Sequence, residues 1–265
     1  MKQRMSSEFI YQLFALLIAV IVVHAVYVGA IRPSADAQIR QQMELQQAGE
    51  DFVPERTFAV VIRDFEQEAC FILLIWALAI MGYKARRTLQ EQALLDRRLL
   101  DIPEGTSVLP QDAREYSRGL EALPEGEQDY LLPRTLLSAL QRFATTGSIQ
   151  AVSDTIKESC EVESDRLDSE LSMVRYIAWA IPSIGFIGTV RGIGDALGQA
   201  YKAVEGDISG VTVSLGVAFN STFVALVLSI IIMFALHQLQ LSQERLVLDC
   251  QRYADKRLLR HLVAN

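Results

Sequence analysis

Two apolar stretches joined by a short polar loop decide the fold: residues 180–200, AIPSIGFIGTVRGIGDALGQA, and residues 214–237, SLGVAFNSTFVALVLSIIIMFALH. With their immediate flanks they make residues 177–236 a membrane hairpin. The outgoing half sets Gly188 four residues from Gly192 and Gly194 four from Gly198, a small-xxx-small spacing that lets helix backbones approach closely in lipid. The returning half is long enough to cross about 30 Å of hydrocarbon. It nevertheless carries Asn220, Ser221 and Thr222 in succession, and polar groups in a bilayer need a partner or water.

At helical spacing Gly185, Thr189, Gly192 and Ala196 share one face of the first helix, and Ala218, Thr222, Ala225 and Ser229 share one face of the second. Small and hydroxyl-bearing faces either line a common lumen or cement helix to helix. Two such faces in one hairpin point to the lumen, with Gly185, Thr189, Gly192, Asn220, Thr222 and Ser229 as pore-lining candidates. Pro182, Gly188, Gly194 and Gly198 are the helix-packing candidates. Arg191 and Asp195 stand four apart where an unpaired charge costs at least ~2.5 kcal/mol, so they are expected to pair. The competing reading has Arg191 snorkelling outward and Asp195 already in the loop.

Past the hairpin, residues 237–265 contain no Pro or Gly and carry Arg245, Arg252, Lys256, Arg257 and Arg260. They read as the last membrane helix continuing into the cytoplasm. Upstream of the hairpin, Ile149, Val152, Ile156, Cys160, Leu167, Leu171 and Val174 keep a three-four alternation that Glu163 alone interrupts. This predicts a long helix running into the third span, with the acidic run from Glu158 to Glu170 as its solvated face. The rest of the aqueous region, 84–176, opens with a charged helix and then breaks at Pro103, Gly105, Pro110, Pro124, Gly126 and Pro133, helical pattern resuming at Arg134.

Nearer the start, residues 1–31 give a first span over 9–31 preceded by Lys2 and Arg4. It exceeds a typical signal-peptide h-region and reads as a retained helix, although Ala35-Asp36-Ala37 has the spacing of a cleavage site. His24 lies inside this span, either as a functional group or as a neutral, hydrogen-bonded one near the outer end. Residues 32–64 read as an external loop with some helix, broken at Pro33, Gly49 and Pro54 and carrying Glu50, Asp51 and Glu55. Residues 65–83 form a short second span that starts with Glu66 and Glu68 and holds Trp76 on a lipid-facing or packing surface. Lys84, Arg86 and Arg87 follow it directly. Basic residues thus follow the second and fourth spans and precede the first and third, which puts both ends of the chain in the cytoplasm. The fold class is therefore all-α, a polytopic membrane protein with four transmembrane helices, the last two extended into long cytoplasmic helices.

Composition agrees with this division. Of 265 residues 51% are hydrophobic and 22% charged, with a mean hydropathy of +0.21, too apolar for an ordinary soluble domain and too charged to lie wholly in lipid. A net charge of −7 without a basic stripe gives no support for nucleic-acid binding. Cys70, Cys160 and Cys250 lie far apart, with neither disulfide-framework nor metal-ligand spacing, and read as reduced structural residues. No phosphate-cradling G-x-x-x-x-G-K-[ST] loop, H-E-x-x-H pair or G-x-S-x-G elbow occurs, so no catalytic residue, metal or cofactor is assigned and the chain does not read as an enzyme.

The run from Pro182, P-S-I-G-F-I-G-T-V-R-G-I, resembles the pore-helix signature of the MotA/TolQ/ExbB proton-channel family, in which a Pro precedes G-x-x-G-T-V-x-G-I. Thr222, within A-F-N-S-T-F-V-A-L, falls where that family has a second pore threonine. Two positions depart from the pattern: Val217 stands where the TolQ and ExbB branch has an intramembrane Glu, and Arg191 where a Trp is usual. The resemblance implies a pentamer in the bacterial inner membrane around single-span partners of the ExbD/TolR/MotB kind. It also implies that an Asp on the partner carries the proton, with Thr189 and Thr222 hydrogen-bonding that carboxylate or its water. Threonine hydroxyls do not titrate at ordinary pH, which agrees with a carrier supplied from outside the chain. The rival expectation from another class is a non-conducting membrane scaffold.

Overall fold

A computed structural model describes residues 2–47, 57–103 and 105–263. Gly49, Glu50, Asp51, Pro54 and Glu55 of the expected loop lie outside them. The described residues are all-α, in the order α1 (Lys2–Val26), a π-helical turn (Tyr27–Ile31), α2 (Arg32–Gln47), α3 (Phe58–Val61), α4 (Phe65–Leu95), α5 (Ala113–Glu121), α6 (Glu125–Gln128), α7 (Leu131–Thr146), α8 (Ile149–Glu170), α9 (Ser172–Gly198), α10 (Ala200–Val204), α11 (Ser209–Arg257) and a final 3₁₀ turn (Leu259–His261). No strand forms among them. Four helical runs, Glu8–Gln42, Phe65–Leu95, Ile149–Gly198 and Ser209–His261, are long and apolar enough to cross a membrane.

The chain folds as two compact units, one of Met1–Met81 with Met173–Leu236 and one of Gly82–Ser172 with His237–Asn265. In the first, Ala19, Ala35, Cys70, Ala77, Ala178, Ala196, Ala218 and Ala225 are buried together with larger groups such as Tyr27, Ile80, Ile177, Ile181 and Ile232, while Phe186, Ile187, Val190, Phe219, Phe223 and Ile230 are exposed. The small residues between the helices allow the close backbone approach that lipid, which offers no hydrophobic drive, requires for helix association. Pro33 does not break the chain as the sequence suggested. Helix continues from Arg32 to Gln47 because the preceding turn is π-helical, with the Arg32 N–H bonding back to the Tyr27 carbonyl. Such a widened turn accommodates a ring and a missing N–H that a regular α-turn would resist.

The second unit has an ordinary hydrophobic core. Leu132, Leu136, Leu140 and Phe143 of α7 meet Val152, Ile156 and Cys160 of α8 and Leu246, Cys250, Ala254 and Leu258 near the chain's end. Helix α7 begins at Leu131, three residues before the expected start, since a proline in the first turn has no helix acceptor to lose. The Glu91 carboxylate accepts the Leu131 N–H at 3.0 Å and so caps that end. Gly147 closes α7 in the left-handed region, at φ 61°, and the Ser148 hydroxyl caps α8 by accepting from the Ala151 N–H at 3.3 Å.

Glu163 is not part of a solvated face. Its side chain is 3% exposed and its carboxylate takes Arg134 at 2.7 Å and Arg166 from the next turn. Burial alone pushes this carboxyl up, but the hydrogen bonds from Arg166 and Arg134 outweigh it and hold it below the usual glutamate range. Lys84, also buried, bonds Glu170 at 2.8 Å. The acidic run therefore contributes one paired carboxylate, Glu163, to the interior of this unit, and a second, half-buried one, Glu170, to the buried Lys84. All three cysteines are buried and free, and burial, aided by nearby Asp255, Glu163 and Glu161, pushes the Cys160 thiol up to about 11.

Candidate ion-path site in the membrane-spanning unit

Helix α9 carries Pro182 in its interior. A proline there has no N–H for the carbonyl four residues back, which is that of Ala178. The Ser229 hydroxyl of α11 donates to that carbonyl at 3.1 Å. Ser229, expected to line a lumen, supplies a donor in place of the missing helix bond and ties α11 to α9.

One turn further along, the two small faces meet each other. A Cβ on Gly185 would overlap the Ala225 Cβ and come within 3.0 Å of the Ser221 carbonyl. On Gly188 it would lie 2.6 Å from the Ser221 Cβ, and on Gly192 2.7 Å from the Ala218 nitrogen. Only glycine permits this approach of the two backbones. Gly185 and Gly192 are thus packing residues of the hairpin alongside Gly188, whereas Gly194 and Gly198 have nothing within 4 Å of such a Cβ. The sequence grouped these glycines by spacing, but a four-residue spacing does not say which member of a pair meets a neighbour.

Thr189 and Thr222 come together at the centre of this contact, hydroxyl to hydroxyl. The Thr189 hydroxyl also lies 3.1 Å from the Ala218 carbonyl and 3.3 Å from that of Gly185, and the Thr222 hydroxyl lies 3.2 Å from the Gly185 carbonyl. A threonine has one proton to give, so each hydroxyl donates to one of these acceptors at a time. Both side chains are half-buried. Asn220 is half-buried too, and no hydrogen bond ties it to another described residue. In a bilayer its amide needs a partner from outside the chain.

Arg191 does approach Asp195, but at 3.9 Å and with the Asp195 side chain 57% exposed. Its main partner is Glu66 at the start of α4, which receives the guanidinium fork at 2.7 and 2.9 Å. Paired, two-point geometry is the strong form of this interaction. Beside it, Glu68 is held by Arg32 and by His24, whose Nδ1 lies 2.7 Å away. Trp76, two turns on, donates its indole N–H to the Gln12 carbonyl at 2.9 Å, which ties α4 to α1. The sequence missed both carboxylate clusters. Its one signal was two acids, Glu66 and Glu68, beginning an apolar helix. Among the described residues no three His, Cys, Asp or Glu side chains are grouped so as to hold a metal ion.

A four-span all-α membrane unit whose hairpin is stitched by a proline-displaced hydroxyl and a threonine pair is the class this architecture defines. Residues 127–252 match the family model of the MotA/TolQ/ExbB proton channel family. The matched stretch contains α7, α8, α9 and most of α11, with Pro182, Thr189 and Thr222. No curated protein and no solved structure matches the chain significantly.

Proposed function

We propose that the chain is the pore-forming subunit of an ion-gradient-driven membrane motor, with the proton as its ion and a single-span partner bearing an Asp as the moving element. The observation that carries this reading is the family match across the hairpin that holds Thr189 and Thr222. Both threonines retain partial exposure, and their hydroxyls have more than one acceptor in reach, which suits groups that exchange hydrogen bonds with a passing carboxylate or water. Asn220 adds an amide that no described residue partners.

The proposed assembly is a homopentamer in a bacterial inner membrane around the partner's helices, with both termini cytoplasmic, the last in keeping with the basic residues beside each span. Val217 leaves the seam without a carboxylate of its own at that position, which is why the carrier is assigned to the partner. A second reading, a non-conducting oligomeric scaffold, draws on the fact that the threonine hydroxyls find acceptors within the hairpin. Co-expression with neighbouring single-span membrane proteins, followed by intact-mass measurement of the purified complex in mild detergent, tests the assembly. A ring of five copies retaining a single-span partner is expected. A monomer or dimer in several detergents contradicts it.

A further inference from the structure

The contact between the first and second spans holds a polar assembly that the threonine seam does not use. Glu68 has a side chain only 8% exposed and binds the Arg32 guanidinium through one carboxylate oxygen and His24 Nδ1, at 2.7 Å, through the other. The His24 side chain is 59% exposed. Its imidazole is thus accessible from outside the unit while the carboxylate behind it is not.

The backbone is built to make this pairing. His24 and Arg32 are eight residues apart, which on a regular α-helix turns them roughly 80° away from each other, whereas seven residues return to the same face. The π-helical turn Tyr27–Ile31 lies between them and absorbs the extra residue. Single π-turns of this kind mark functional positions more often than regular helix does. Tyr27, inside that turn, is 2% exposed, with its hydroxyl hydrogen-bonded to no described group and its ring 5.6 Å from the Arg32 guanidinium carbon.

We propose that His24 and Glu68 form a proton-binding site of the membrane-spanning unit, anchored by Arg32 and separate from the Thr189–Thr222 seam. In the neutral state the imidazole donates Nδ1–H to the carboxylate and keeps a lone pair on Nε2. Taking a proton there gives an imidazolium and raises the cluster's net charge by one. Imidazole is the side chain whose ordinary titration lies between about pH 5 and 8. The charged and titratable groups around the site are Tyr27 in the π-turn, Arg32 and Asp36 on α2, Arg63 and Asp64 ahead of α4, Glu66, Glu68 and Cys70 on α4, and Arg191 on α9, which neutralises Glu66. The site stands whether or not the threonine seam conducts.

The test is nuclear magnetic resonance of the full chain in lipid nanodiscs with isotopically labelled histidine, the His24 signals being identified by their loss in His24→Gln. The His24 ring nitrogens are expected to pass between neutral and protonated forms as the pH is stepped. In Glu68→Gln, which removes the carboxylate charge beside the ring, that change is expected to occur at a different pH. Should Glu68→Gln fail to fold, dipolar recoupling between His24 Nδ1 and the Glu68 carboxyl carbon in the unmutated protein decides, with a hydrogen-bonded separation expected. A His24 that never changes protonation state, that titrates identically without the Glu68 charge, or that lies beyond hydrogen-bonding distance of it overturns the proposal.

Discussion

The Ser229 hydroxyl donates to the Ala178 carbonyl at 3.1 Å, the carbonyl that Pro182 deprives of its helix donor. Ser229→Ala is therefore expected to destabilise the hairpin by about 1 kcal/mol, within the range of interhelical hydrogen bonds in membranes. In a Pro182→Ala background residue 182 regains an N–H, and the same substitution should cost much less. Reversible unfolding in mixed micelles measures the cycle. Equal costs in the two backgrounds would show that the serine does not replace the missing donor.

Glycines that look alike in the sequence should separate by position. Gly185→Ala and Gly192→Ala place a methyl against the α11 backbone and are expected to reduce the thermal stability of the isolated chain, while Gly194→Ala and Gly198→Ala leave it unchanged. Thermal unfolding in one detergent compares all four. If Gly194→Ala and Gly198→Ala then weaken assembly in native mass spectrometry, those positions are where a second copy approaches.

For Arg191 the expected partner order is Glu66 before Asp195. Arg191→Gln and Glu66→Gln should each lower the yield of folded protein, and the exchange of the two charges, Glu66→Arg with Arg191→Glu, should restore much of it. Asp195→Asn should have little effect, since that carboxylate is mostly exposed at 3.9 Å. Folded yield after size-exclusion chromatography reports the outcome, and a rescue by exchanging Arg191 with Asp195 would reverse the order.

Glu163 sets a pH dependence in the second unit. Its carboxyl is held below the usual glutamate range by Arg166 and Arg134 despite burial. A depressed carboxylate contributes stability above its unfolded value, about 4.3, and loses that contribution as pH falls through the folded value. Unfolding of the whole chain, followed by the α-helical signal at a series of acidic pH values, should therefore show a steeper loss in the natural protein than in Glu163→Gln. Parallel curves would remove this role.

Much of the fold was legible because helix periodicity reports which face of one helix is small or apolar. The stripe from Ile149 to Val174, the run from Pro182 and the two small faces of the hairpin all came from that signal. Periodicity does not report the partner. Ser229 finds Ala178 across 51 residues, His24 finds Glu68 across 44 and Arg191 finds Glu66 across 125, and none of these pairings follows from the spacing within either helix. The π-turn was invisible for a related reason. Nothing in YVGAI demands an extra residue per turn until Arg32 and His24 are seen to share one carboxylate. Pro33 misled because a proline reads as a helix end unless the turn before it is already widened.

The central claim is tested most directly by ion flux into vesicles that hold the chain with its single-span partner under an imposed pH gradient, comparing the natural protein with the Thr189→Val, Thr222→Val and the Thr189→Ser, Thr222→Ser double variants. Valine keeps the shape and loses the hydroxyl, and serine keeps the hydroxyl and loses a methyl. The account predicts partner-dependent flux in the natural complex, flux largely retained with serine, and flux lost with valine in complexes that still assemble. Undiminished flux in the valine form would contradict the assignment of these threonines to the ion path, and no flux in the natural complex would contradict a conducting function and favour the scaffold.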